Sequence, residues 1–295
     1  MANLKEIKNR IASVASTQQT TSAMKLISAS KLRKAQLVLL HLRPFSNKLH
    51  QAMLQTVQDG NTVFRSPFLM ARRVEKVLLM VVTSNSGLCG AFNTVVLKKA
   101  MTHIKTNYLT NPDIKEISIM CFGKKAADFF AKQPYKVVAN HIEFMNDLNY
   151  DEYNAIAEDL LQSYKNKTYD LVDMVSNMFV NAGVYETIVR QRLPFNIPEI
   201  AFGDLPSDNY IYYPVKDDVV HNIIPMSFKL RAYMRFVESL TAEYASRMTA
   251  MHKATESAIQ LQKDLKLRYN KARQAAITNE IIEIINSANA LNAGK

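Results

Sequence analysis

The 295-residue sequence has no tryptophan, only two cysteines and seven glycines, and no run of 18 apolar residues. Without such a run, no segment is expected to span a bilayer. Residues 1–16 carry spaced charges instead of the apolar stretch of a signal peptide, which favours a protein that stays in the cytoplasm. Cys89 and Cys121 form no CxxC motif, and we interpret both as small buried apolar residues.

Glycine and proline are absent from two long windows, between Ala2 and Arg43 and between Met226 and Ala293. Each window predicts a helix, and the second is far longer than most globular helices. Five of the nine prolines fall within residues 194–225, which predicts a long connection with Pro225 opening the last helix. The chain therefore divides into an N-terminal coiled-coil helix (1–58), an α/β domain (74–194), a proline-rich connection (195–225) and a C-terminal coiled-coil helix (226–295).

The C-terminal window carries a seven-residue repeat that is typical of a coiled coil. Twelve of fourteen seam residues are apolar or aromatic: position a holds Leu230, Val237, Tyr244, Met251, Ala258, Leu265 and Ala272, and position d holds Tyr233, Leu240, Arg247, Ala254, Leu261, Arg268 and Ala275. The N-terminal window offers a partner stripe of Leu4, Ile7, Ile11, Val14, Met24, Ile27, Leu32, Ala35 and Leu39. We expect an antiparallel pair. The polar run 17–22 interrupts the stripe. Its polarity has an explanation only if the run faces something other than the partner helix.

The middle of the chain alternates strands and helices. Strands are predicted at Val77–Thr83, Ile117–Phe122, 137–139, Val172–Phe179 and Val184–Leu193, the last two as a hairpin around Asn181-Ala182-Gly183. Helices are predicted at 92–108, 124–132 and 151–165. This order predicts an α/β sandwich with a mostly parallel sheet and an antiparallel edge.

The net charge of +11 is concentrated at the two ends of the chain. Residues 1–50 carry nine basic residues against one acid, Glu6, and residues 226–295 carry eleven against six. A basic surface either binds an anionic partner or is simply well solvated. A basic coiled-coil protein that binds nucleic acid or serves as a scaffold is therefore one hypothesis. Basic residues mixed with acids on the last helix, and the lack of a zinc finger or RNA-type aromatic motif, weigh against nucleic acid.

No residue set supports an enzyme. The loop 83–90 follows the first predicted strand, where nucleotide-binding folds cradle phosphate, but it has neither G-x-G-x-x-G nor P-loop spacing. The six histidines include no HExxH and no pair at metal-ligand spacing, and His141 is expected at the surface. We expect no catalytic residue, no cofactor and no metal. A nucleotide-binding enzyme remains a third hypothesis.

Polar residues late in the last helix form a candidate contact surface. Asn270, Arg273, Gln274 and Thr278 share one helix face, and a merely solvated face would more often carry Glu and Lys. Beyond them, the sequence predicts an apolar tip that is wider than a two-helix seam requires, made of Ile281, Ile282, Ile284, Ile285 and Leu291. An exposed apolar end of this kind predicts a surrounding sleeve or partner.

Several segments of this sequence resemble the γ subunit of F-type ATP synthases. Residues 247–251 and 265–278 are similar to that family's most specific signature, residues 7–14 and 23–36 to its opening helix, and residues 83–93 to its first strand–loop–helix motif. The resemblance covers the whole chain. Asn85-Ser86 departs from it, because the family usually has Asp-Arg at these positions.

The resemblance implies a long antiparallel coiled coil with a Rossmann-like α/β domain between its helices. It implies a non-catalytic rotor that carries rotation, driven by a proton gradient, to the catalytic β subunits. The implied partners are the hexamer of α and β subunits, an ε subunit and the membrane ring of c subunits. The implied location is the cytoplasmic face of the bacterial inner membrane, as a peripheral protein held only through the complex, without nucleic acid.

The resemblance also assigns two sets of contact residues. The set expected to meet the surrounding subunits is Met24, Lys25, Arg273, Gln274, Thr278 and Glu280. The set expected to form an apolar bearing tip is Ile281, Ile284, Ile285, Ala288 and Leu291.

Overall fold

The computed structural model describes residues 2–57, 66–195, 213 and 216–293. The chain divides into two compact units. We call residues 1–28 with 248–295 the terminal-helix unit, and residues 29–247 the α/β unit. Most of the predicted connection at 195–225, and the predicted boundary at residue 58, lie outside the described residues.

Two long helices contain the two ends of the chain, as predicted. Helix α1 spans Ala2–Val57, and the last helix spans Lys216–Ala293. The prediction that Pro225 opens the last helix is wrong, because this helix begins at Lys216 and Pro225 lies inside it. The extra turns are stabilised by packing: Val220 and Ile224 are buried beside Met53 of α1. Burying two branched side chains offsets the one backbone hydrogen bond that proline removes.

The predicted five-stranded sheet is present, with its parallel centre and antiparallel edge. Its strands are β1 Lys76–Val82, β2 Glu116–Phe122, β3 Lys136–His141, β4 Leu171–Asn181 and β5 Val184–Leu193. The strand order is β3-β2-β1-β4-β5, and only the β4–β5 hairpin is antiparallel. The helices between the strands are α2 Phe92–His103, continued by a π-helical turn Ile104–Tyr108, then α3 Lys124–Phe130 and α4 Tyr150–Lys165. The last helix is therefore α5.

Alternate residues of the strands bury opposite faces of the sheet. One face, with Val77, Leu79 and Val81 of β1, packs against Val96 and Ala100 of α2 and against α3. The other face, with Leu78, Met80 and Val82, packs against α4 and against the early part of α5. The residues that α5 adds to this core are Phe228, Ala232 and Phe236. The first turns of α5 therefore belong to the α/β core as well as to the helix pair.

Within the α/β unit, α1 and α5 pair antiparallel. Leu32, Ala35 and Leu39 of α1 are buried, as the predicted stripe required. Lys31 lies over the ring of Tyr244 at 5.6 Å, while Arg43, further along α1, donates to Glu238, which lies earlier in α5. The two contacts run in opposite directions along the two helices.

Candidate subunit-contact surface

The two helices also pair antiparallel within the terminal-helix unit. The Thr255 hydroxyl donates to the Thr21 hydroxyl at 2.9 Å, and Lys25 Nζ lies 3.4 Å from His252 Nδ1. Position 25 is later than 21 on α1, whereas position 252 is earlier than 255 on α5. Met251, Ala258 and Leu265 of α5 are buried along this seam, as the repeat predicted for position a.

The predicted second position of the repeat is wrong from Leu261 onward. Ala254 and Thr255 are both half-buried, but Leu261, Arg268 and Ala275 are exposed, although position d should face the partner. From Leu261 onward the half-buried residues lie one position later in each heptad: Gln262, Tyr269 and Ala276. The sequence left this offset ambiguous, because residues three and four positions apart lie on the same face of a helix.

The polar run of α1 lies partly in the seam. Gln18, Thr21 and Lys25 are half-buried and continue the three–four spacing that starts at Leu4, Ile7, Ile11 and Val14. By contrast, Ile27, predicted as a seam residue, is 58% exposed. The polar run therefore meets a polar partner, since Thr21 bonds to Thr255.

The structure places the predicted contact residues at two separate levels of the helix pair. Met24 and Lys25 are half-buried, and Lys25 lies next to His252. Arg273 lies 21 positions further along α5 than His252, which is about 30 Å in an α-helix. The two groups are not brought together.

The late α5 residues share an exposed surface. Arg273, Gln274, Thr278 and Glu280 are all exposed. The Thr278 hydroxyl donates to the Gln274 carbonyl at 2.9 Å, so one polar group of this face is satisfied within the helix. The Arg273 guanidinium, the Gln274 amide and the Glu280 carboxylate point into solvent and can each bind another chain.

The expected apolar tip is exposed on several sides of α5. Ile281, Ile284 and Ile285 are 50%, 68% and 52% exposed, and Ile282 is 49% exposed. Exposed isoleucines at four positions within five residues cannot all face one partner helix, because successive positions are about 100° apart. The side chains of Ala288 and Leu291 lie outside the described residues. The described part of the tip is an exposed apolar surface, and exposed apolar patches are typical of interaction sites.

The terminal-helix unit is also basic. Its exposed cationic residues are Lys5, Lys8, Arg10, Lys253, Lys263, Lys266, Arg268, Lys271 and Arg273. Its exposed acids are fewer: Glu6, Glu256, Asp264, Glu280 and Glu283. The surface therefore favours an anionic partner.

The loop that carries Asn85-Ser86 is bonded on both sides within the α/β unit. Asn85 Nδ2 donates to the Ile142 carbonyl at 2.8 Å, and Asn85 Oδ1 accepts from the Lys124 backbone amide at 2.9 Å. Ser86 Oγ accepts from Arg247 Nη2 at 2.9 Å. The neutral residues Asn85 and Ser86 thus bond both to α3 and to α5.

Arg247 makes contacts within the chain that the repeat did not predict. It was predicted at seam position d, and it is buried, but it forms a 2.7 Å ion pair with Glu243 and reaches the Ser86–Gly87 loop. Burial raises the pKa of the Glu243 carboxyl, and Arg247 opposes that rise. The sequence signal that could have indicated these contacts is a charged residue at a seam position.

The two cysteines and His141 pack inside the α/β unit. Cys89 and Cys121 are buried, as predicted, and burial raises the pKa of the Cys121 thiol to about 12, so it stays protonated. The prediction that His141 lies at the surface is wrong, since it is half-buried and stacked on Phe122 at 5.0 Å. Among the described residues, no group of three His, Cys, Asp or Glu could hold a metal ion. None of the described helices is long and apolar enough to cross a bilayer.

Two long terminal helices and a five-stranded, mostly parallel sheet define a mixed α/β fold. The structure matches the Euglena gracilis mitochondrial ATP synthase OSCP/F1/c-ring structure with a TM-score of 0.66, covering 100% of this chain and 96% of that chain at 19% identity. It matches a central stalk/c-ring structure of the Tetrahymena thermophila mitochondrial ATP synthase with a TM-score of 0.58, covering 80% and 99% at 22% identity. These likenesses establish the fold.

The chain belongs to the ATP synthase family, whose sequence model matches residues 3–291. It is 42% identical over 292 residues to the ATP synthase gamma chain of Christiangramia forsetii, covering 99% of this chain and 100% of that one. It is 41% identical over 294 residues to the ATP synthase gamma chain of Flavobacterium johnsoniae, again covering 99% and 100%.

Proposed function

We propose that this chain is the central-stalk rotor subunit of an F-type ATP synthase. It transmits rotation driven by a proton gradient to conformational changes in the catalytic β subunits. The observation that carries the proposal is the exposed end of α5, where a polar face at Arg273 and Gln274 is followed by exposed isoleucines. A helix end of this kind requires a surrounding partner, and membership in the ATP synthase family supports a ring of subunits as that partner.

In this proposal the chain contributes contacts and no catalytic group. Its partners are the hexamer of α and β subunits, an ε subunit and the ring of c subunits. It lies at the cytoplasmic face of the bacterial inner membrane, held there through the complex. The proposed parts are the two terminal helices α1 and α5, the domain 74–194 and the connection that leads to α5. The basic nucleic-acid-binding alternative is not favoured.

The proposed mechanism is a bias among conformational states. A rotor changes the state of a catalytic subunit only if its contacts differ between those states, because uniform binding shifts no equilibrium. Met24 and Lys25 act at one level of the hexamer, and Arg273, Gln274, Thr278 and Glu280 act at a second level. Ile281, Ile284, Ile285, Ala288 and Leu291 turn inside an apolar sleeve. The basic surface meets acidic loops of the β subunits.

Replacing Arg273 and Gln274 together with alanine tests these contacts. We expect ATP-driven proton pumping by the assembled complex to fall about tenfold per ATP hydrolysed, the effect of about 1.4 kcal/mol of lost contact energy. The measurement is dye quenching in inverted membrane vesicles beside ATP hydrolysis. The matched control is Arg73→Ala with Gln162→Ala, which are exposed in the α/β unit. Pumping equal to wild type would remove Arg273 and Gln274 from the contact set.

A further inference from the structure

A cavity in the α/β unit is lined by four arginines. Its volume is about 460 Å³, and β5, α5 and α1 all contribute to its wall. The polar side chains in the wall are His50, Arg190, Gln191, Arg192, Arg231 and Arg235, with Val189, Phe195 and Phe228 as apolar neighbours. Among the described residues, the lining of the cavity therefore contains several cations and no acid.

Arg192 is the most deeply buried of these cations. It is only 8% exposed, and neither Nε nor Nη2 has a hydrogen-bond partner in the part of the chain that the structure describes. Burial, followed by the nearby positive charges of Arg235 and Arg231, lowers the pKa of Arg192 to about 9. The guanidinium is still charged at neutral pH. A buried cation without a counterion is strongly unfavourable, so the site favours the binding of an anion.

The carboxylate of Glu238 already has two cationic partners. It accepts from Arg235 Nη1 and also from Arg43 Nε at 3.0 Å. Gln191 directs its amide to the Pro194 carbonyl at 2.8 Å instead of to an arginine. Arg235 Nε is buried without a partner in the described residues. Glu238 therefore pairs with Arg43 and Arg235, and its described contacts include none of the other cavity arginines.

His50 adds a neutral hydrogen-bonding group to the same wall. Burial, followed by the charge of Arg231, lowers the pKa of His50 to about 4, so the imidazole is neutral at pH 7. Its Nδ1 is buried and has no hydrogen-bond partner among the described residues. A neutral imidazole beside guanidinium groups can donate an N–H to an oxyanion without adding to the repulsion.

We propose that this cavity binds a phosphate-class oxyanion. Arg192 and Arg231 would hold it by paired N–H donors, a geometry that matches the oxygens of a phosphoryl group. The cavity is far larger than the roughly 30 Å³ occupied by one water molecule, which leaves room for a diphosphate or for the phosphoryl end of a nucleotide. The site belongs to the α/β unit, and its existence does not depend on the rotor function.

Binding of phosphate, pyrophosphate and Mg-free ATP to the purified full chain tests the proposal. Isothermal titration and thermal unfolding are carried out at constant ionic strength, with chloride as the reference anion. We expect saturable binding and a Tm increase of at least about 2 °C at saturation. The strongest of the three ligands identifies the source: free phosphate, a diphosphate or a nucleotide.

The variants Arg192→Gln and Arg231→Gln should each lower the affinity at least tenfold. The matched control Arg73→Gln, at a 69% exposed side chain, should leave it unchanged. Because Arg231 is only half-buried, Arg231→Gln should fold, and in phosphate-free buffer its Tm should equal or exceed that of wild type, since it relieves repulsion between cations. Absence of saturable binding, or unchanged affinity in both variants, would overturn the proposal. So would a response to polyglutamate alone, which would assign the cavity to an acidic segment of a partner protein.

Discussion

Gly123 lies where the chain segments that follow β1 and β2 approach each other closely. It follows β2 with a backbone φ of +95°, and a Cβ built at this position would lie 2.2 Å from the Thr83 carbonyl oxygen. The Thr83 hydroxyl in turn accepts from the Ala126 amide at 2.8 Å, at the start of α3. The backbones at Thr83 and Gly123 thus approach so closely that only glycine fits.

Gly123→Ala should therefore lower the free energy of unfolding by at least about 2 kcal/mol, through both the strained φ and the steric clash. Gly87→Ala is the matched control, because a Cβ at Gly87 has nothing within 4 Å. It should change stability by less than about 0.5 kcal/mol. Urea unfolding of the three proteins measures this difference. Equal stability of the two variants would contradict the packing described here.

Arg247 makes a second residue-scale prediction, which includes a pH dependence. Arg247→Gln leaves the buried Glu243 without its main counterion and should cost about 3 kcal/mol at pH 7. Because burial raises the folded-state pKa of Glu243, the folded protein takes up a proton more readily than the unfolded chain. The stability lost in Arg247→Gln should consequently become smaller as the pH falls from 7 to 5.

Ser86→Ala is the control for Arg247→Gln, since it removes one acceptor of Arg247 and leaves the ion pair intact. It should cost about 1 kcal/mol at both pH values. Thermal unfolding at pH 5 and pH 7 distinguishes the two effects. A loss in Arg247→Gln that stays constant or grows on acidification would show that Glu243 is not the group left uncompensated.

At the scale of the elements, the hydrophobic period predicted which elements form, but not which residues of α5 lie in the seam. The strands, the β4–β5 hairpin and both terminal helices were predictable because their apolar runs and glycine-free windows have no competing interpretation. The seam offset was not, because Leu261 and its neighbour Gln262 are both possible seam residues and the helix partner decides between them. The polar face of α1 at Thr21 bonds to Thr255, which favours the offset that contains Gln262.

Two alanine substitutions on α5 test that offset. Leu265→Ala should destabilise the terminal-helix unit by about 2 kcal/mol or more, because Leu265 is only 7% exposed. Leu261→Ala should cost less than about 1 kcal/mol, because Leu261 is 49% exposed. Circular dichroism during denaturation reports both values. A larger loss for Leu261→Ala would restore the offset that the sequence suggested.

At the scale of the whole molecule, sequence patterns predicted contact surfaces at the two ends but not what distant elements form together. The arginines of the cavity come as Arg190 and Arg192 on β5 and as Arg231 and Arg235 on α5. Each pair alone is an ordinary spacing on a strand or a helix. Only the packing of α5 beside β5, with α1 closing the wall, turns the two pairs into one site. The sequence alone therefore predicted a candidate contact surface but did not predict the cavity.

If this chain is the proposed rotor, it rotates inside a ring of catalytic subunits. The decisive experiment attaches a bead to Lys132→Cys, an exposed position in the α/β unit, in the surface-immobilised complex. The native cysteines are buried, so labelling is selective. On addition of ATP, the bead should turn continuously in one direction and stop when ATP is exhausted. ATP hydrolysis at the normal rate with a bead that only fluctuates about a fixed angle would contradict the rotor function.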